Sequence, residues 1–215
     1  MKSILVLGLG RYGRHITIKL NALGHQVMAV DRDEHKVDEV IPYVKRGQIG
    51  DCTDEEFLRS LGVRNFDVCI ISIGNNFQAA METTATLKEL GAPYVVARAG
   101  REVHEKFLRM AGADDIIYPE KQQAIWTAIR YSSDHILDYM QLDDDYAIYE
   151  VDVPEKWVGK TIGDLDIRKK YSINIISIKV MGEMQMNISA EYLLKKDDTM
   201  LIIGNEADIH KCLHL

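Results

Sequence analysis

The sequence predicts an α/β protein, a doubly wound parallel sheet followed by a smaller α+β domain, and three observations carry that prediction. Apolar runs of strand length alternate with segments of helical periodicity through residues 1–118. The first run, Ile4 to Leu7, ends in Gly8-x-Gly10-x-x-Gly13 and opens a helical pattern. After residue 146 the alternation gives way to short strands around a single helical piece.

Strands are predicted near residues 2–7, 26–31, 44–49, 68–73, 94–97 and 115–118. Between them, helical segments fall near 13–23, 35–41, 55–61, 77–90 and 103–110. The first helix shows the period through Ile16, Leu20 and Leu23, and the second strand, Val27 to Val30, ends in Asp31. Such βαβ units build a Rossmann sheet over residues 1–118. Residues 119–140 read as a further helix, with Ile125, Trp126 and Ile129 giving a broad apolar face that does not feed another parallel strand. The acidic run Asp143-Asp144-Asp145 then reads as a solvated linker rather than a metal site, so residues 119–145 are expected to be a crossover helix and linker. Residues 146–215 form the small domain, with strands near 147–153, 173–180, 184–188 and 200–203 and a helical piece near 162–170. A hairpin turn is expected at Met181-Gly182-Glu183 and a final helix from Glu206. A domain of that size buries little core alone, and pairing with a second copy would remedy this.

The formal net charge of −7, without a basic cluster to reverse it, argues against nucleic acid as a partner. No apolar run reaches bilayer length, and Met1-Lys2 leads straight into the first strand without a signal-peptide pattern. Cys52, Cys69 and Cys212 lack CxxC spacing, which disfavours disulfides and structural zinc, and Cys69 reads as a core residue. The expectation is a cytoplasmic protein, peripheral on the inner face of the membrane if it docks on a membrane partner.

The glycine run carries the chemistry. Gly8 permits a tight turn, Gly10 lets backbone approach a phosphate, and Gly13 lets the helix pack on the strand. The helix N-terminus then offers N–H groups to an anion. Asp31 can accept ribose hydroxyls and would repel a 2′-phosphate. Ligands in open α/β sheets lie beyond the carboxyl ends of the strands, where Arg11, Tyr12, Arg32, Asp33, Asp51, Cys52, Ile73, Gly74 and Arg98 also fall. Asp51 has a second reading as a helix cap, a role open equally to Thr53 or Asp54. Arg11 and Arg98 read either as phosphate ligands or as exposed cations paired with surface acid. Glu120 reads either as a carboxylate for a divalent cation or as the acid that opens a helix after Pro119, and physics alone favours the helix. There is no P-loop lysine, and none of the 7 histidines, His15, His25, His210 and His214 included, lies in a visible catalytic constellation. A nucleotide site without catalytic equipment points to sensing, not to an enzyme.

In Val6-Leu-Gly-Leu-Gly-Arg-Tyr-Gly13, Val30-Asp-Arg-Asp33, Ile49-Gly-Asp-Cys-Thr-Asp54, Ile73-Gly-Asn-Asn76 and Gly112-Ala-Asp-Asp-Ile-Ile-Tyr-Pro-Glu120 the chain resembles the RCK (regulator of potassium conductance) subunits of bacterial Ktr/Trk-type potassium uptake systems. Leu165-Asp-Ile-Arg-Lys-Lys-Tyr171 and Ile173-Asn-Ile-Ile-Ser-Ile-Lys179 extend the likeness to the small domain, which resembles RCK_C. The resemblance implies dimers assembled into an octameric ring beneath a potassium-translocating membrane subunit, with ATP and ADP favouring different ring shapes. It associates Arg11 with the ATP γ-phosphate across the dimer and Glu120 with a divalent cation, Mg2+ or Ca2+. It places Asp31, Asp33, Asp51, Cys52 and Arg98 at the nucleotide. For the small domain it implies a cyclic di-AMP site at Asp166, Ile167, Arg168, Asn174 and Ile175, although Asn187-Ile-Ser-Ala190 lacks a proline common in the family. Arg14 is a further departure, in the glycine loop. Two rival readings are an NAD(H) sensor or dehydrogenase of the same fold and an interaction module that uses the fold as a scaffold.

Overall fold

In the computed structural model, which describes residues 1–213, alternate residues of β1 (Ser3–Leu7) face opposite sides of a sheet. Leu5 and Leu7 pack with Cys69, Ile71, Leu87 and Leu108, whereas Ile4 and Val6 pack with Val27, Ala29, Val37 and Val40. A strand covered on both faces needs an unbroken apolar run, which is why β1 shows no polar alternation. β2 (Gln26–Asp31), β3 (Arg46–Ile49), β4 (Val68–Ile71), β5 (Val95–Arg98) and β6 (Asp115–Ile117) complete a parallel sheet in the order β3-β2-β1-β4-β5-β6. The crossovers are α1 (Arg11–Ala22), α2 (Glu34–Val40), α3 (Glu55–Ser60), α4 (Phe77–Glu89) and α5 (Glu102–Met110). Side chains of Asp33, Asp54 and Asn76 accept backbone N–H groups at the starts of α2, α3 and α4. α1 ends where Gly24 takes φ +82°, a left-handed conformation open to glycine. The doubly wound sheet is as the sequence predicts.

The chain divides into two compact units, Met1–Glu120 and Lys121–Leu215. α6 (Pro119–Arg130) crosses the division, and a strand follows it, β7 (Ile136–Gln141), where the sequence predicts continued helix to residue 140. Within the second unit β7 pairs antiparallel with β8 (Tyr146–Asp152), and the acidic run Asp143–Asp145, read above as a linker, is the turn between them. Asp143 Oδ1 accepts the N–H groups of Asp145 and Tyr146 at 2.9 and 2.8 Å, which ties that turn. The predicted helical piece is two, α7 (Ile162–Leu165) and α8 (Ile167–Tyr171), broken at Asp166, whose φ is +44°. β9 (Asn174–Val180), β10 (Glu183–Gln185) and β11 (Thr199–Asn205) complete an antiparallel sheet in the order β10-β9-β11-β8-β7, and α9 (Glu206–Leu213) follows. β10 is shorter than predicted, with Ile188 beyond its end. Its core holds Tyr149, Val151, Trp157, Ile178, Leu194, Met200, Ile202 and Ile209.

Candidate nucleotide site

The strand order reverses between β1 and β4, so the first unit opens its crevice beyond the carboxyl ends of those two strands. The glycine loop sits there because three contacts require it. Gly8 has φ +93°, and its N–H donates to the Val30 carbonyl oxygen at 2.8 Å. A β-carbon at Gly13 would overlap the Gly8 carbonyl oxygen and the Ser72 hydroxyl, so only glycine lets α1 pack this closely on the loop. The Ser72 hydroxyl, buried, donates to the Gly8 carbonyl oxygen. Gly10 differs from both. A β-carbon there would meet no atom within 4 Å, so the chain's own packing does not explain the glycine, and the space beside it is open to a ligand.

Asp31 ends β2 with 8% of its surface exposed. Its Oδ2 accepts the Leu9 N–H at 2.7 Å and its Oδ1 the Asp33 N–H at 3.0 Å, while Lys36 Nζ lies 3.6 Å away. Each carboxylate oxygen keeps acceptor capacity beyond these bonds, so Asp31 both pins the glycine loop and remains able to receive hydroxyls. Asp33 accepts the His35 N–H at 3.1 Å as the cap of α2, and Arg32 beside it is exposed. Asp51 is not the cap of α3, a role Asp54 takes; its Oδ1 instead accepts the N–H and hydroxyl of Thr53 at 2.9 and 2.8 Å. Those bonds hold the Asp51 carboxyl below its usual range, with Arg32 assisting. Cys52 turns its side chain into the core, where burial pushes the thiol up to about 12, and its carbonyl oxygen accepts the Thr83 hydroxyl at 2.9 Å.

Arg11 opens α1, exposed and without an ion-pair partner among the described residues, whereas Arg14 pairs with Glu39 at 3.2 Å. Arg98, at the end of β5, is the less exposed cation. Its guanidinium lies against Gly74, pairs with Glu120, and stands 5.6 Å from the centre of the Tyr12 ring. Burial raises the Tyr12 phenol above its ordinary value, with Arg98 opposing and Glu120 adding to the shift. Ile73 closes the loop from β4, its backbone nitrogen 3.2 Å from where a Gly8 β-carbon would stand. Glu120 lies in the first turn of α6 and is bound to Arg98; among the described residues no cluster of three metal-ligating side chains surrounds it. A divalent cation at Glu120 would therefore draw the rest of its oxygen shell from other sources than these side chains, such as water, backbone carbonyls or phosphate.

The TrkA-N domain family matches residues 4–119 and the TrkA-C domain family residues 146–214. The chain belongs to this RCK family. It is 40% identical over 210 residues to Ktr system potassium uptake protein C of Bacillus subtilis (strain 168), covering 98% of this chain and 95% of that protein. Ktr system potassium uptake protein A of the same organism is 39% identical over the same shares of the two chains. The GsuK channel structure matches with a TM-score of 0.72 and 21% identity, covering 100% of this chain and 39% of that one, a likeness of fold. The chain thus spans well under half of that channel's length.

In the TrkA-C part, Asp166 and Arg168 lie at the α7–α8 break, Arg168 exposed and Asp166 3.6 Å from Lys169 Nζ. Ile167 is 4% exposed and belongs to the core, so its side chain offers a ligand no surface. Asn174 and Ile175 begin β9, paired with Ile203 and Ile202 of β11. The proline-free segment reaches α7 through the Gly163 N–H, which donates to the Ala190 carbonyl oxygen at 2.7 Å. His214 lies outside the described residues, and His210 contacts the buried Tyr149 hydroxyl at 3.2 Å. Sequence reasoning missed the Ser72 clasp on Gly8, the Lys36 charge beside Asp31, and the pairing of Arg98 with Glu120. Ser72 had a signal, a small hydroxyl residue at a strand end beside the glycine loop.

Proposed function

We propose that the chain is a nucleotide-sensing regulatory subunit of a Ktr-type potassium uptake system. The observation that carries the reading is the pinned glycine loop, where Asp31 fixes the Leu9 N–H beside the open space at Gly10. Identity of 40% and 39% with two Ktr system proteins, over nearly the whole of each, supports the transport assignment. No helix among the described residues is long and apolar enough to cross a membrane, so in this reading a separate subunit translocates potassium.

The ligand is ATP or ADP, with Asp31 serving the ribose and the glycine loop and N-terminus of α1 serving the phosphates. Dimers assemble into an octameric ring, and Arg11 reaches the third phosphate of ATP bound in a neighbouring subunit. ADP lacks that group, so the two nucleotides favour different ring shapes by their differential affinity. Glu120 and the phosphates hold the divalent cation. The TrkA-C part takes cyclic di-AMP as a second effector at Asp166, Arg168 and Asn174.

Thermal-shift and calorimetric titration with ATP, ADP, NADH and cyclic di-AMP, with and without magnesium or calcium, tests the ligand assignment. Binding of ATP and ADP is expected, with Arg11→Ala losing affinity for ATP about ten- to a hundred-fold and for ADP little. Equal losses would remove Arg11 from the switch. Light scattering tests the ring, and a stable monomer at micromolar concentration would exclude it.

A further inference from the structure

We infer that Met181, Met184 and Met186, at the tip and free edge of the β9–β10 hairpin, form a thioether site for one soft monovalent metal ion, Cu(I). The site belongs to the second unit and does not depend on the nucleotide reading above.

Residues 181–186 read Met-Gly-Glu-Met-Gln-Met, so three of the chain's 9 methionines fall within one short hairpin. Packing does not account for them. Their exposures are 96, 54 and 61%, and the core of the second unit holds none of the three, although Val180 and Ile188 beside them pack against it. Methionine ordinarily fills irregular gaps in a core, which these side chains do not do. Local conformation does not account for Met181 either. Met181 and Gly182 have φ of +51° and +86°, so both central residues of the two-residue turn are left-handed. Asparagine, aspartate or glycine suits the first of those positions, and a long side chain is strained there. A methionine that neither packs nor suits its turn calls for another reason.

The register brings the three to one side. β10 pairs with β9 as Glu183 with Val180, Met184 with Lys179 and Gln185 with Ile178. Ile178 is buried in the core, so Ile178 and Gln185 mark the inner face, and Lys179 and Met184 fall on the outer one. The same alternation places Met181, which follows Val180, and Met186, which follows Gln185, on the outer face too. The Ser177 hydroxyl donates to the Gln185 carbonyl oxygen at 3.1 Å and holds the chain just before Met186. β10 is the edge of its sheet, with no further strand of the described residues beyond it. Residues two apart on a strand stand about 7 Å apart, and methionine is unbranched with three rotatable bonds, so neighbouring sulfurs can converge on one ion.

The donor set chooses the metal. Thioethers are soft, neutral ligands that select Cu(I), whereas hard cations need oxygen. Glu183, the carboxylate within the hairpin, falls on the inner face and adds no oxygen to the set. The Lys179 ammonium, on the residue opposite Met184, is held by Glu150 Oε1 at 2.7 Å, which offsets its charge beside a bound cation.

The test is anaerobic titration of the full chain with Ag(I), a redox-inert stand-in for Cu(I), read from isotope-labelled methionine methyl resonances. One equivalent should shift the methyls of Met181, Met184 and Met186 together and leave those of Met1, Met110 and Met140, exposed but isolated, unmoved. In competition with a Cu(I) chelator, Met181→Leu, Met184→Leu and Met186→Leu should each weaken binding by at least the factor of about ten that loss of a supporting group costs a metal site. Leucine removes the sulfur and keeps the volume, so melting of these variants without metal should be unchanged. Met181→Asn should melt higher, because asparagine suits the turn, and still bind Cu(I) less tightly. Zinc and magnesium should not compete. Equal shifts at every exposed methionine would mean adventitious thioether contact only. Retention of Cu(I) by the triple leucine variant would assign the metal to Cys52, Cys69 or Cys212. Either result overturns the site, as would a single leucine variant that binds as tightly as the natural protein.

Discussion

Gly10 and Gly13 stand one turn apart in the same loop and have opposite reasons to be glycine. Gly13→Ala drives a methyl into the Gly8 carbonyl and Ser72, so we predict a loss of about 1–3 kcal/mol in urea unfolding. Gly10→Ala meets nothing and should leave that stability within about 0.5 kcal/mol, yet weaken ADP binding by blocking approach of the phosphate. If both variants unfold alike and bind ADP alike, the loop is not a phosphate cradle. In the proposed reading, Asp31→Ala removes a carboxylate that serves protein and ligand together. It should cost about 1–3 kcal/mol of stability through the orphaned Leu9 N–H, besides reducing ADP affinity. The sequence alone made Asp31 legible as a candidate for the ribose, because strand-end acids follow a known spacing. The structural role was not, because it depends on a hydrogen bond that spans 22 residues of chain. Arg98 and Glu120 were each legible as candidates, and their pairing was not, for the same reason. Asp114 lies in the Gly112–Glu120 stretch, where the sequence assigned it no role. Burial raises its carboxyl, but the Val95 N–H and Lys88 outweigh this and hold it below the usual range. A depressed folded-state pKa adds stability above the unfolded value, near about 4, and loses it as pH falls through the folded one. Asp114→Asn should therefore cost about 1–2 kcal/mol at neutral pH, with the two unfolding curves converging below about pH 4.

Among the elements, β7 shows why a strand was read as helix. Its pairing with β8 shifts between Ile136 and Asp138, a bulge that leaves Ile136 and Tyr139 both buried. Two inward residues three apart give the spacing of a helix, and they follow directly on the true helical residues Ile125, Trp126 and Ile129. The break lies at Ser132 and Ser133, whose hydroxyls bond the Ile129 carbonyl and the His135 N–H at 2.8 and 3.2 Å. Trp126 then ties α6 to β7, its indole N–H donating to Asp138 Oδ1 at 2.9 Å. The acidic run was misjudged in a related way, because a turn that caps itself looks, in composition, like solvated linker. Asp143→Ala should cost about 0.5–1.5 kcal/mol by leaving the Asp145 and Tyr146 N–H groups without their acceptor. Asp144→Ala should cost less than about 0.5 kcal/mol, as an exposed acid to which no such bond is assigned. Equal effects of the two, read by thermal unfolding, would return the run to a featureless linker. The central parallel strands of the first unit, β1 and β4 above all, were legible because burial on both faces writes itself as an apolar run, whereas the edge strand β3, Arg46-Gly-Gln-Ile49, is exposed at both its ends. The antiparallel unit was less legible, because half-buried strands with bulges carry a weaker period.

For the whole molecule, the three cysteines report on the two cores. Cys52 and Cys69 belong to the core under the parallel sheet, and Cys212 to that of the antiparallel one. All three are buried, and burial pushes their thiols up to about 12, 12 and 11. The thiolate is the reactive form, so at pH 8 a thiol reagent should label each only when its core opens. Labelling in dilute urea then measures two opening equilibria in one sample, resolved by mass spectrometry of peptides. A nucleotide that binds the first unit lowers its opening by the factor 1 + [L]/Kd, about a hundredfold at a hundred times Kd. Saturating ADP should therefore slow the labelling of Cys52 and Cys69 together by that factor, when reclosing is fast relative to modification. Cys212 should keep its rate if each core opens by itself. Equal protection of Cys212 would mean that the two cores open as one cooperative unit, and the nucleotide would then stabilise the TrkA-C part directly. Protection of Cys212 alone would place ADP in the wrong half of the chain and end the assignment of the glycine loop.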